Sequence, residues 1–132
     1  MENNGGPFPL HCIKRTVGAE KIPETPQEYI IVNPGEYHKI ADAVENTTPI
    51  YFSKPTYDVF ENQEITRFLK EHSVRKAFVI GVATDYCIKA AVLGMLNLGI
   101  HCYIQKSQIA GVDKKTTEEA LNEMIVAGAE II

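Results

Sequence analysis

The sequence predicts an α/β fold of three layers, with helices on both faces of a mostly parallel sheet. Short apolar runs alternate with segments of helical periodicity across residues 29–132. The helical segments are also long enough to cross over between parallel strands. The 132 residues fit one domain, in which a loop-rich entry segment (1–28) precedes the alternating region (29–132).

The first half of the alternating region predicts two strands and two helices. Tyr29–Val32 and Pro49–Ser53 are short apolar runs, which favour strands. Tyr37–Glu45 carries a short apolar helical face. Glu64–Glu71 has apolar residues at i, i+3 and i+4, and Asn62 precedes it as the predicted N-cap.

The second half continues the alternation around its clearest helix. Ala77–Ile80 is a continuous apolar run, which predicts a strand buried on both faces of a parallel sheet. Tyr86–Leu98 has strong helical periodicity, and Gly99 follows where a helix end favours a left-handed residue. Ile100–Ile104 predicts the next strand.

The last helix is predicted from a capping box. Thr116 and Glu119 have the spacing of that motif, so the helix is expected to open there. Gly128 is expected to end it, and Glu130–Ile132 to form a last strand. The predicted inner face consists of Ala120, Leu121, Met124 and Ile125.

Composition excludes several classes of function. A net charge of −4 with scattered basic residues argues against nucleic acid as a partner. No apolar run approaches the roughly 20 residues of a membrane span, and the N-terminus lacks the pattern of a signal peptide. We therefore expect a cytoplasmic protein without a membrane partner. Three cysteines without a C-x-x-C pair argue against a disulfide framework and a structural zinc site.

Two reactive residues follow predicted strands. Lys54 comes directly after one strand, and Cys87 begins the helix that follows another. In open α/β sheets, sites form at the carboxyl ends of strands. Unpaired amides and the helix dipole favour a thiolate at Cys87, and the same amides could receive the negative oxygen of a tetrahedral intermediate.

Each of these residues also has a plain structural interpretation. An isolated Cys87 is compatible with a small buried side chain, and Lys54 with a solvated surface charge. Cys102 alternates within a strand and is interpreted as a core residue. His11 and Cys12 are adjacent and point in opposite directions on an extended segment, so they are interpreted as part of a loop.

Four collinear segments resemble one family. Residues 81–90 (GVATDYCIKA) resemble the nucleophile motif of the nicotinamidase branch of the isochorismatase-like cysteine hydrolases. Residues 11–20 (HCIKRTVGAE), 54–60 (KPTYDVF) and 119–130 (EALNEMIVAGAE) resemble further family segments in the same order. The resemblance therefore covers nearly the whole chain and implies the family's three-layer, Rossmann-like fold.

The resemblance also implies a chemistry. Cys87 would be the nucleophile and Lys54 its charged partner. The peptide bond between Val82 and Ala83 would be cis, and the amides of Ala83 and Cys87 would form the oxyanion hole. Tyr86 would line the substrate pocket. The implied reaction is hydrolysis of a small amide, with nicotinamide as the expected substrate, through a thioester.

The chain departs from the family pattern at its beginning. The family's catalytic Asp and its metal ligands, which often hold zinc, lie in an N-terminal part with no counterpart here. No base, metal ligand or cofactor is therefore assigned. The alternatives are a catalytically inactive binding or assembly module, or a site in which Asp58 or Asp85 serves as base.

That absent part also bears on assembly. In the family the first strand lies beside the strand that leads to the nucleophile. Without it, the nucleophile strand would have an open edge with unpaired backbone groups. We therefore expect a homo-oligomer or pairing with another chain.

Overall fold

Strands and helices alternate along the part of the chain described by the computed structural model, residues 15–17 and 20–132. The strands in this part are β1 (Ile30–Val32), β2 (Ile50–Phe52), β3 (Lys76–Val82), β4 (His101–Ala110) and β5 (Glu130–Ile131). The α-helices are α1 (Ile40–Glu45), α2 (Gln63–Glu71), α3 (Lys89–Asn97) and α4 (Lys114–Val126). Single turns of 3-10 helix, Tyr37–Lys39 and Val59–Glu61, precede α1 and α2, and the π-helical turn Thr84–Ile88 precedes α3.

The described strands form two parallel sheets. One sheet pairs β1 with β2, and the other has the order β3-β4-β5. Parallel strands joined by helical crossovers confirm the predicted α/β class. β4 continues beyond its predicted end at Ile104, because Gly81 and Val82 of β3 pair with Ile109 and Ala110.

The core lies between one face of the β3-β4-β5 sheet and the helices α3 and α4. Val79, Cys102 and Ile104 point from the sheet into this core. Val92 from α3 and Met124 from α4 meet them and are fully buried. Burial of each such apolar side chain contributes roughly 1.5–3 kcal/mol, so this interface anchors both helices to the sheet.

The opposite face of β3 is uncovered, which corrects the prediction that this strand is buried on both sides. Phe78, Ile80 and Val82 are 72%, 60% and 71% exposed. Phe78 stacks on Tyr103 of β4, with ring centroids 5.1 Å apart. Within the described residues β3 pairs only with β4, so its other edge is open as expected.

Helix α4 begins earlier than predicted. Asp113 is its N-cap, and the Asp113 carboxylate accepts the amides of Lys115 and Thr116 at 2.9 and 3.1 Å. The predicted capping box from Thr116 to Glu119 is therefore wrong. The prediction that Ile125 lies on the inner face is wrong as well, since its side chain is 49% exposed.

Helix α2 begins at the predicted N-cap, which also joins the neighbouring strands. The Asn62 side-chain oxygen accepts the amide of Glu64 at 3.1 Å. Its side-chain nitrogen donates to the carbonyls of Val32 and Ser53, both at 2.9 Å. Asn62 is fully buried, so one side chain holds together the ends of β1 and β2 and the start of α2.

The helices of the described ranges are all too short or too polar to cross a lipid bilayer.

Candidate active site

The site lies where β2 and β3 end. β3 stops at Val82, the peptide bond from Val82 to Ala83 is cis, and the π-helical turn with Cys87 follows at once. The register of β3 against β4 shifts between Val79 and Gly81, and Gly81 has a φ of 118° that disfavours other residues. β3 continues to pair with β4 through Val82 after this shift, and the turn begins directly beyond it.

The structure brings Lys54 and Cys87 together, although 33 residues separate them in sequence. Lys54 Nζ lies 3.4 Å from Cys87 Sγ and also donates to the carbonyl of Thr56 at 3.0 Å. The contact places the Lys54 ammonium within hydrogen-bonding distance of the Cys87 sulfur.

The backbone of the turn is arranged around the carbonyl of Ala83. That carbonyl accepts the amides of Tyr86 and Ile88, each at 3.1 Å, on either side of Cys87. Ala83 itself is extended, with φ −102° and ψ 141°. Cys87 is half-buried.

Tyr86, which precedes Cys87 in the turn, contacts the ring of Tyr57. The rings of Tyr57 and Tyr86 meet edge to face, with centroids 5.8 Å apart. The sequence predicts Tyr86 in the pocket, whereas it does not single out Tyr57. Tyr57 is three residues after Lys54 within segment 54–60, and that position is the signal that could have indicated it.

The two carboxylates considered as substitute bases have structural partners. Asp85 accepts three hydrogen bonds, from the amides of Val112 and Asp113 and from the hydroxyl of Thr116. Burial raises the pKa of the Asp85 carboxyl, but these hydrogen bonds outweigh burial and hold the pKa below its ordinary value. A carboxylate with a lowered pKa and occupied oxygens is a poor base.

Asp58 has a local structural partner as well. Its carboxylate accepts the amide of Phe60 at 2.9 Å and caps the 3-10 turn before α2. Across residues 20–132, neither Lys54 nor Cys87 has a hydrogen bond or ion pair with a carboxylate. The described residues therefore bring one thiol and one ammonium together without a carboxylate bonded to either.

Cys102 has a different environment from Cys87. Cys102 lies in β4 and is 1% exposed, and burial raises the pKa of its thiol. It is a core residue, as predicted. His11 and Cys12 lie outside the described residues.

The sequence matches a known protein family over almost its full length. The isochorismatase domain family matches residues 2–132. This chain belongs to the isochorismatase domain family. The predicted resemblance to the nicotinamidase branch is also confirmed, because the similar proteins include several nicotinamidases.

Three relatives illustrate the similarity. The nicotinamidase of Escherichia coli is 27% identical over 94% of this chain and 56% of its own length. The nicotinamidase/pyrazinamidase of Mycobacterium tuberculosis is 26% identical over 95% of this chain and 62% of its own length. The crystal structure of the pyrazinamidase of Pyrococcus horikoshii superposes with a TM-score of 0.71 and 28% identity, covering 97% of this chain and 64% of that one.

This isochorismatase-domain chain therefore spans between 41% and 62% of the length of the curated relatives it matches. The Pyrococcus structure contains zinc. Within residues 15–17 and 20–132 of this chain, no three His, Cys, Asp or Glu side chains are grouped to hold a metal ion. These described residues do not by themselves fit a zinc site.

Proposed function

We propose that this chain carries the thiol and ammonium groups of a cysteine amidase site that hydrolyses a small amide of the nicotinamide class. The observation that carries the proposal is the 3.4 Å contact between Lys54 Nζ and Cys87 Sγ at adjoining strand ends. The names of the similar nicotinamidases and pyrazinamidases supply the substrate class. We further propose a cytoplasmic location, where a nucleophilic thiol stays reduced.

The proposed reaction has two halves. The Cys87 thiolate forms a bond to the amide carbon, and the carbonyl oxygen takes up the negative charge. The amides of Ala83 and Cys87 donate to that oxygen as the oxyanion hole. The C–N bond then breaks, and the nitrogen leaves as ammonia after gaining a proton. Water attacks the resulting thioester, which releases the carboxylic acid and regenerates the thiol.

Lys54 and the tyrosines have separate roles in this scheme. The Lys54 ammonium stabilises the thiolate before attack. Tyr86, next to Cys87 in the chain, and the Tyr57 ring that packs on it form one wall against which a flat heteroaromatic ring rests. The group that takes the proton from the thiol is not assigned to any described residue.

Selective alkylation tests the nucleophile. We expect iodoacetamide to label Cys87 well before Cys102 and Cys12, as measured by peptide mass spectrometry over time. Lys54→Met should slow the labelling of Cys87 about tenfold or more, because the ammonium no longer favours the thiolate. Lys70→Met is the matched control, since Lys70 is exposed on α2 and should leave the rate unchanged.

The proposal fails if all three thiols react equally in the folded protein, or if both lysine variants behave alike. Ammonia release from nicotinamide tests the reaction itself. We expect Cys87→Ala to abolish any turnover detected, and equal turnover in that variant would exclude Cys87 as the nucleophile.

A second candidate is a binding or assembly module that keeps the fold without catalysis. The observation in its favour is the open edge of β3 with Phe78, Ile80 and Val82 exposed on one face. An apolar strand with an unpaired edge is a template for strand addition. We propose that the open edge of β3 pairs with a strand of another chain. In the purified protein, that chain is a second copy of the same protein.

Sedimentation and hydrogen exchange test this candidate. Ile80→Lys should shift an associated species to monomer, while Lys106→Glu, at an exposed β4 position, is the charge-change control. A wild-type protein that is monomeric at high concentration, with rapidly exchanging β3 amides, would refute self-association. Unchanged Cys87 labelling in Ile80→Lys would separate assembly from nucleophile chemistry.

A further inference from the structure

A buried carboxylate joins the nucleophile turn to the start of α4. Asp85, two residues before Cys87, accepts the amide of Val112 at 3.1 Å and that of Asp113 at 3.4 Å. It also accepts the hydroxyl of Thr116, 31 residues away, at 2.5 Å. The local sequence does not account for this link, because its donors come from the connection between β4 and α4 and from the first turn of α4.

The charge on Asp85 is compensated by dipoles alone within the described residues. Its side chain has no ion pair there, and the residue is 8% exposed. An unpaired buried charge is costly unless hydrogen bonds and oriented dipoles replace its hydration. The loop before α4 and the first turn of α4 supply these hydrogen bonds, because the amides of Val112 and Asp113 and the hydroxyl of Thr116 all donate to the Asp85 carboxylate.

The donors are held in place without Asp85. Thr117 Oγ1 donates to the carbonyl of Asp113 at 2.6 Å, and the Asp113 side chain caps the first turn of α4. Gly111 packs so closely on Thr117 that a Cβ on Gly111 would clash with Thr117 Oγ1. These contacts hold the loop against α4. The Asp85 carboxylate accepts hydrogen bonds from donors on this loop and on the first turn of α4.

We propose that Asp85 is a positioning residue, which fixes the π-helical turn against the N-terminus of α4 so that Cys87 Sγ is held beside Lys54 Nζ. This inference rests on the proposed amidase function. A π-helical turn is a rare, local arrangement, and the Asp85 carboxylate ties the turn Thr84–Ile88 to α4 and its preceding loop through three hydrogen bonds. A displacement of about 1 Å at a reacting atom can cost up to about a hundredfold in rate.

The test uses Thr116, which lies outside the turn. Thr116→Val removes the shortest hydrogen bond to Asp85, and Thr116→Ser keeps the hydroxyl. We expect Thr116→Val to lower the rate of Cys87 alkylation about threefold to tenfold and to change its pH profile. Thr116→Ser should restore the rate to within about twofold of wild type. Asp85→Asn should lower the rate further, with circular dichroism to verify that it folds.

A stability control distinguishes positioning from general destabilisation. Leu69→Ala removes a buried side chain beside Val74, Arg75 and Ile100, at the amino ends of β3 and β4 and away from the site. It should lower the melting temperature without changing the rate or pH profile of Cys87 alkylation.

The outcomes separate the two proposals. Cys87 that is no more reactive than Cys102 in wild type would overturn the proposed function. A reactive Cys87 whose rate and pH profile are unaffected by Thr116→Val would overturn only the role of Asp85. That role would also be overturned if Leu69→Ala changed the rate as much as Thr116→Val.

Discussion

Replacement of Asn62 by Ala should destabilise the fold through three hydrogen bonds at once. Loss of the N-cap of α2 costs about 1 kcal/mol. The carbonyls of Val32 and Ser53 also lose their side-chain donor, and each net hydrogen bond contributes about 1 kcal/mol. The sum is about 3 kcal/mol. Domains of this size unfold with about 5–15 kcal/mol in total, so the loss is a large fraction.

Urea unfolding followed by circular dichroism measures this change, and the melting temperature should fall by roughly 10 °C. Asn62→Ser is the matched variant, because its hydroxyl oxygen keeps an acceptor for the Glu64 amide while the side-chain NH2 group that reaches Val32 and Ser53 is lost. It should recover about 1 kcal/mol relative to Asn62→Ala. A loss below about 1 kcal/mol in Asn62→Ala, or equal losses in the two variants, would falsify the assignment of these three bonds.

The remaining predictions concern other parts of the fold. The folded pKa of Asp85 lies below its ordinary value of 3.8. Charged Asp85 therefore stabilises the folded protein at pH values above 3.8. This stabilisation is lost as the pH falls through the folded pKa. The stability advantage of wild type over Asp85→Asn should therefore shrink as the pH of urea unfolding is lowered from neutral through the folded pKa. Gly94→Ala should destabilise by roughly 1–3 kcal/mol, because the new Cβ would clash with the Phe60 ring, and an additional Phe60→Leu change should recover part of the loss. Met124→Ala should cost about 2–5 kcal/mol, because this side chain is fully buried in the core, whereas Ile125→Ala on the same helix should cost under about 1 kcal/mol.

Periodicity was sufficient to predict the α/β fold, whereas the pairing of Lys54 with Cys87 was implied by the family resemblance. Lys54 and Cys87 each follow a run of apolar residues, and parallel strands bring their carboxyl ends to the same edge. That rule needs no knowledge of long-range contacts. The contact between the two side chains joins the ends of strands from two separate sheets, so this rule alone does not predict it.

Long-range partners explain the predictions that were wrong. Thr116 has the local pattern of an N-cap, but Asp113 caps α4 and the Thr116 hydroxyl donates to Asp85. The residues next to Thr116 in sequence do not indicate that its hydroxyl has a distant partner in Asp85. β4 extends beyond its predicted end at Ile104 into polar residues. One reason is that the Lys106 amide donates a hydrogen bond to the carbonyl of Ile132 at 2.9 Å.

The apolar run in β3 shows a different limit. Its composition indicates how much surface a strand prefers to bury, but not which neighbours are present to bury it. Phe78 and Ile80 satisfy the apolar pattern while remaining exposed. Burial depends on the layers that cover a strand, and those layers lie elsewhere in sequence.

The two members of the central pair belong to different sheets. Lys54 follows β2 of the β1-β2 sheet, and Cys87 follows β3 of the other. No strand ladder joins these two sheets within the described residues. The reactivity of Cys87 therefore depends on how the β1-β2 sheet is placed against the β3-β4-β5 sheet. A displacement of one sheet from the other by a few ångströms should slow the alkylation of Cys87, because Lys54 Nζ would no longer contact Cys87 Sγ. The alkylation rate of Cys87 thus measures whether the two sheets keep Lys54 and Cys87 in contact.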